Sequence, residues 1–81
     1  MKILKEREKT HGYFGDVAER AQQIKDLYRA SDNWQEMSYA QQEALDAIAS
    51  KLARILSGNV DEVDHWHDIA GYATLVVEEL K

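Results

Sequence analysis

Residues 38–58 read SYAQQEALDAIASKLARILSG and carry the clearest helical signal in the chain. Ser38 followed by Gln41 has the form of a capping box, in which the two residues satisfy each other's backbone N–H groups at a helix start. Beyond this pair, apolar residues recur at helical spacing, and they are Ala44, Leu45, Ile48, Ala49, Leu52, Ile55 and Leu56. Gly58 stands where a left-handed residue commonly ends a helix. The stretch therefore predicts one long helix that ends near Leu56.

The chain before residue 38 predicts two more helices. Asp16 and Glu19 form a second capping-box pattern, so a helix is expected over about residues 17–30. Ser31-Asp32-Asn33 is a turn sequence, because such side chains bond to their own backbone. Residues 1–12 are expected to form an N-terminal arm, with a short charged helix over residues 2–10 whose order depends on docking.

The chain after Gly58 predicts a last helix that begins at Asp61 or Glu62. Its apolar stripe recurs at helical spacing and comprises Val63, Trp66, Ile69, Ala70, Ala73, Val76, Val77 and Leu80. No window alternates convincingly with a period of two, and the chain has no proline. The predicted fold is therefore a single all-α domain over residues 1–81, a small bundle of three main helices plus the short N-terminal helix.

Composition limits the classes of protein to which this chain can belong. Its 81 residues allow one small domain, which buries little surface on its own, so a partner or a second copy is expected. Fifteen acidic against ten basic residues give a net charge of −5, which argues against nucleic acid as a partner because phosphate contacts need clustered Lys and Arg. The absence of cysteine excludes disulfides and thiolate metal sites. The sequence shows neither a membrane-spanning run nor a signal peptide, so a cytoplasmic location is expected.

Apolar residues also lie outside the two main stripes, and their placement predicts further contacts. Gly71 and Leu75 lie away from the stripe of the last helix, and Ala47 and Ala53 lie beside that of the middle helix. Helices that are apolar on several sides are usually buried on more than one side. The sequence leaves two explanations open, a homodimer with a four-helix core or coverage of this surface by the N-terminal helix.

Acidic residues at the start of the last helix form a candidate metal site. At about 100° per residue, Asp61, His65 and Asp68 share one stripe, and Asp64 lies one turn before Asp68. Carboxylate oxygens suit Mg²⁺, and Mn²⁺ would accept the imidazole as well. The same acids also suit an ordinary helix start, where they complement the helix dipole in solvent. Both interpretations stay open.

Two other groups are candidates for a ligand site. Glu43 and Asp46 form a carboxylate pair that lies nearly opposite the apolar face of the middle helix, so the pair reaches a site only if another helix or subunit covers it. Lys51 lies nearer the apolar face and is better placed to bind a phosphate. Lys9 and His11 precede a glycine and form a candidate anion-binding turn, with an exposed helix end as the simpler alternative.

Three stretches together carry a resemblance to known proteins, and they are Lys9-Thr10-His11-Gly12, residues 51–58 (KLARILSG) and residues 64–73 (DHWHDIAGYA). In order and spacing they resemble a family of small, functionally uncharacterised proteins of tailed bacteriophages and prophages. More distantly, the layout is similar to that of the MazG-like all-α nucleoside triphosphate pyrophosphohydrolases. In that group, acidic pairs on successive helices bind Mg²⁺, which holds the triphosphate while water attacks phosphorus.

The resemblance implies a metal-dependent pyrophosphohydrolase that acts on a nucleoside triphosphate. The metal ligands that it implies come from the two acidic motifs, and they are Asp64, Asp68, Glu43 and Asp46. Lys51, with Lys9, would neutralise phosphate, and His65 would act as a base or support the metal. The alternative is a non-catalytic phage protein that binds and modulates a host protein, in which the same acids are a solvated helix start.

Overall fold

The structure is a computed structural model, and it describes residues 2–81. Its elements in chain order are α1 (Lys2–His11), α2 (Phe14–Arg29), a 3₁₀ helix (Asp32–Glu36), α3 (Tyr39–Ser57) and α4 (Val63–Glu79). The described residues contain no strand, so the all-α prediction is confirmed. Within the same range, no helix has the length and apolar character that crossing a membrane requires.

The helix predicted first, α3, is the element on which the others pack. Both α2 and α4 lie against α3, and α1 contacts α3 and α2. The predicted capping box is present, because the Gln41 backbone N–H donates to the Ser38 hydroxyl and the Ser38 N–H donates to the Gln41 side chain. Gly58 follows the last turn as expected, but its φ of −124° is not left-handed. Its role at this position is close packing, which is described below.

The start of α2 differs from the prediction. The helix begins at Phe14, Tyr13 is its N-cap residue without a side-chain capping bond, and Asp16 lies inside the first turn. The reason is Gly12, whose φ of 90° allows α1 to end and α2 to begin within two residues. The Asp16–Glu19 capping box was therefore a wrong prediction, and Asp16 acts only as an acid near the positive end of the helix dipole.

The orientation of α4 also differs from the prediction. Val63, Trp66, Val77 and Leu80 belong to the stripe expected in the core, yet each of them is half exposed or more. The side that faces α3 contains His65, which is buried, together with the partly buried Ile69, Tyr72 and Val76, so two residues of the predicted stripe do face inward. His65 and Asp68 on this side make polar contacts with α1 and α3, and the rest of the predicted stripe is left exposed.

Small side chains dominate the interior. The buried apolar residues are Ala21, Ala44, Ala49, Ala53 and Ile55, and the largest fully buried side chain is that of His65. The accessible surface is 6025 Å², whereas a folded monomer of 9.3 kDa exposes about 5,000 Å². The radius of gyration is 13.9 Å, against about 12 Å for a compact domain of this length. The single chain therefore leaves an unusually large surface exposed.

Candidate functional site

The three stretches that carry the resemblance meet at one junction, where the end of α1 packs against the end of α3 and the start of α4. Two glycines make this approach possible. A Cβ atom at Gly12 would lie 2.5 Å from the carbonyl carbon of Ser57, and one at Gly58 would lie 2.5 Å from the carbonyl oxygen of Thr10. The backbone N–H of Asn59 donates to that Thr10 oxygen at 3.2 Å. The junction is thus held by backbone packed directly on backbone.

His65 connects α4 to this junction. Its side chain is 2% exposed, and its Nε2 donates to the carbonyl oxygen of Thr10 at 3.0 Å. The imidazole also packs against that of His11, with ring centroids 4.9 Å apart. The bond places the proton on Nε2, so a role as base or metal ligand would fall to Nδ1, in a ring that is almost fully buried. The bond to Thr10 gives His65 a positioning role at this junction, and its predicted roles of base and metal ligand stay predictions.

Lys51 of α3 and Asp68 of α4 form an ion pair. Lys51 Nζ lies 2.8 Å from Asp68 Oδ2, and the lysine side chain is the more buried of the two. The hydrogen bond and the charge of Lys51 hold the pKa of the Asp68 carboxyl below its usual value. The predicted phosphate-binding lysine and a predicted metal ligand are therefore partners of one another in this structure.

Asp46 is covered by α2, and its partners are not acids. The Tyr28 hydroxyl donates to Asp46 Oδ1, and Arg29 Nη2 donates to Oδ2 at 2.8 Å. Burial raises the pKa of Asp46, but the two hydrogen bonds outweigh it and leave that pKa below the usual value. Another helix therefore covers Asp46, and it brings a cation and a phenol to this carboxylate.

The predicted metal ligands are not brought together. Glu43, Asp61 and Asp64 are exposed, Asp68 pairs with Lys51, and Asp46 lies at the α2–α3 contact. Among residues 2–81, no group of three or more His, Asp or Glu side chains is arranged to hold a metal ion. The donor set as it stands does not fit Mg²⁺ or Mn²⁺.

A groove of about 480 Å³ lies beside His11, between α1, the start of α2 and α3. Arg7, His11 and Arg54 line it together with the apolar and aromatic side chains of Leu4, Tyr13, Phe14 and Val17; Glu8 lines it as well. The ion pairs of the described chain join other residues, so neither Arg7 nor Arg54 has a carboxylate partner there. In a protein with a net charge of −5, this groove concentrates unpaired positive charge.

The pKa of His11 reflects the positive charge of this groove. Burial lowers this pKa, and the charges of Arg54, Arg7 and Lys51, with the adjacent His65 imidazole, lower it further. Of the predicted anion-binding turn, His11 lines the groove, whereas Lys9 is exposed and does not line it.

Sequence reasoning missed the two arginines of the groove. A signal for each was present, because Arg7 lies one helical turn before His11 and Arg54 lies inside the KLARILSG stretch one turn after Lys51. Tyr13 and Phe14 were missed because α2 was expected to begin later.

Comparison of the chain with protein-family models, with curated proteins and with solved structures found no match. The resemblance to phage proteins and to the MazG-like group therefore stays a prediction, and the site is interpreted from its own chemistry.

Proposed function

We propose that this protein binds a phosphate-bearing small molecule in the groove beside His11, and that the ligand is a nucleotide. The observation that supports this proposal best is the pair Arg7 and Arg54, two guanidinium groups in one groove without a carboxylate partner among the described residues. A guanidinium group fits the oxygens of a phosphate with two parallel hydrogen bonds. His11, on the same wall, adds a ring N–H as a further donor.

The apolar part of the groove favours a nucleotide over a bare phosphate. Tyr13 and Phe14 are largely exposed at its edge, and Leu4 lies on the α1 side. Aromatic side chains beside cations are a typical surface for stacking a base. A volume of about 480 Å³ also lies within the usual range of small-molecule sites. The phosphates would lie against the arginines and the base against the aromatic rings.

Hydrolysis is a further step that the described geometry does not support directly. Two of the four implied metal ligands, Asp46 and Asp68, are engaged by Arg29 and Lys51. A pyrophosphohydrolase would need those carboxylates released or other donors supplied. Nucleotide binding needs neither change, so it is the function that the geometry supports best, and the hydrolase predicted from the resemblance is a hypothesis to be tested beside it.

Calorimetric titration with a panel of nucleoside tri-, di- and monophosphates and with the free nucleoside tests the proposal. Arg54→Gln should weaken triphosphate binding by roughly 10- to 100-fold, the loss of one charged hydrogen-bonding group. Arg20→Gln changes the net charge equally at an exposed residue of α2 and should bind like the wild type. Thermal unfolding of both variants verifies that they fold. No binding anywhere in the panel, or equal binding by the two variants, would overturn the proposal.

The same samples decide the hydrolase hypothesis. Release of pyrophosphate or phosphate is followed with Mg²⁺ and then with Mn²⁺. Metal-dependent release that is lost on chelation would add catalysis to binding. Binding without release would leave a nucleotide-binding module.

The proposal also covers the oligomeric state and the cellular location of the protein. We propose that the protein acts as a homodimer in the cytoplasm, in a phage-infected cell if the resemblance holds, because the single chain exposes many large apolar side chains. The exposed side of α4 is also the observation that favours the alternative function, binding to a host protein. A host protein that co-purifies with the chain in place of a second copy would support that alternative.

A further inference from the structure

We infer that the apolar face formed by α4 and the adjoining side of α3 binds a second copy of this chain. This inference rests on the proposed homodimer and specifies its surface. The face is distinct from the nucleotide groove, which lies between α1, α2 and α3.

The exposed stripe of α4 has the spacing of a helix–helix seam. Its residues follow one another by three and four positions alternately, and they are Val63, Trp66, Ala70, Ala73, Val77 and Leu80. This is the a/d pattern of a heptad repeat, which packs into the matching seam of another helix. Val77 is 50% exposed and Leu80 69%, and the seam carries no charged residue. Within the described chain, Ala73 borders the groove towards α3, and the other residues of the seam are exposed.

The face continues from α4 onto α3. A groove of about 250 Å³ runs between them, and its lining includes Leu45, Ile48, Ala73 and Val76. Leu52 and Leu56 follow Leu45 by seven and eleven positions, so they extend the same side of α3, and both are exposed. The surface available is therefore wider than one helix.

The area matches what a dimer needs. The chain exposes 6025 Å², which is about 1,000 Å² more than expected for its mass. A standard protein–protein interface buries about 800 Å² on each partner. One such contact on this face would bring the exposed surface of each copy down to the ordinary value.

The order of residues along the seam is complementary to itself. When two copies of α4 run antiparallel about the midpoint between Ala70 and Ala73, Val63 of one copy lies opposite Leu80 of the other, and Trp66 lies opposite Val77. The alanines meet at the centre, where small side chains let the helices approach. A two-fold interface requires this self-complementarity, because the same patch is used on both copies.

Analytical ultracentrifugation of the full chain across the micromolar range tests the inference. The wild type should sediment as a dimer, and Val77→Glu should weaken dimerisation at least ~100-fold, since each copy would bury an unpaired carboxylate. Leu75→Glu is the matched control, because Leu75 is 63% exposed but lies about 200° around the helix from Val77. The control should remain dimeric. Circular dichroism verifies that each variant is helical, and Ala70→Glu at the proposed crossing point should repeat the result.

The outcomes separate the surface from the homodimer and from the ligand site. A monomeric wild type would overturn both the homodimer and this surface. A dimer that persists equally in Val77→Glu, Ala70→Glu and Leu75→Glu would overturn the surface alone. Nucleotide titration of the same samples reports on the groove independently of either result.

Discussion

Replacing Gly12 with alanine should disrupt the junction that brings the three motif stretches together. Gly12 has a φ of 90°, a conformation that costs an L-residue about 1–2 kcal/mol. A Cβ atom there would also lie 2.5 Å from the carbonyl carbon of Ser57, which belongs to the backbone and cannot rotate away. Such overpacking costs about 1–3 kcal/mol. Together these effects predict a loss of roughly 2–5 kcal/mol in the free energy of unfolding.

Gly71→Ala is the matched control, and its predicted effect has the opposite sign. Gly71 lies inside α4, and a Cβ atom there would meet nothing within 4 Å. Alanine in a helix interior is more stable than glycine by about 0.5–1 kcal/mol. Since 1 kcal/mol shifts the Tm of a domain this small by about 4–8 °C, Gly12→Ala should melt at least ~10 °C below the wild type, and Gly71→Ala should melt a few degrees above it.

Thermal and urea unfolding followed by circular dichroism measure both effects. Nucleotide titration of Gly12→Ala, below its Tm, reports whether the groove survives when His11 is displaced. A Gly12→Ala variant that melts within about 2 °C of the wild type would refute the reasoning, because the close contact between the end of α1 and Ser57 would then be absent. A loss of stability in Gly71→Ala would show that the outer side of α4 is covered.

Three further predictions concern single side chains. His65→Ala should lower the free energy of unfolding in urea by about 2–4 kcal/mol, since it removes the largest fully buried side chain and its bond to α1. His67→Ala, at an exposed neighbour, should change that free energy by less than about 0.5 kcal/mol. Equal losses in the two variants would contradict the role of His65 at the junction. Stability should fall as the pH is lowered from about 7 to about 5, because the pKa of His11 in the folded chain lies below the 6.5 of the unfolded chain. The unfolded chain therefore binds more protons in that window. Urea unfolding of His11→Gln should show a flatter dependence of stability on pH, and an unchanged dependence would count against this assignment. Of the four tyrosines, Tyr28 should ionise last, because burial and its bond to Asp46 raise its pKa. In an alkaline absorbance titration, Tyr28→Phe should remove the last step of tyrosine ionisation. Removal of an earlier step would refute this prediction.

The sequence was sufficient to predict α3, because its capping box and its apolar spacing are local signals. It was insufficient for the start of α2, since the turn at Gly12 packs against the backbone of Ser57, which lies 45 positions away in the chain. The sequence likewise did not predict that Asp46 pairs with Arg29. Helical phase places a carboxylate on a side of its own helix, but it does not say which helix covers that side.

The candidate site shows the same limit. Spacing along α4 correctly placed His65 and Asp68 on one side, and it left a metal site and a solvated helix start both open because it does not show which groups of other helices meet these side chains. The structure supplies the missing partners from elsewhere, a carbonyl oxygen from α1 for His65 and a lysine from α3 for Asp68. Recognising the unpaired arginines required the converse information, that no carboxylate of the described chain forms an ion pair with them.

The orientation of α4 connects the two proposals. An isolated amphipathic helix is expected to turn its most apolar side inward, yet the inward side of α4 includes His65 and Asp68, and the seam containing Val77 is left exposed. This orientation reduces the hydrophobic burial of the single chain, and a second copy on the seam would restore it. Because the inward side and the seam are about 100° apart on the helix, substitutions should separate the two functions. Val77→Glu should abolish assembly and leave nucleotide binding intact, whereas Arg54→Gln should do the reverse.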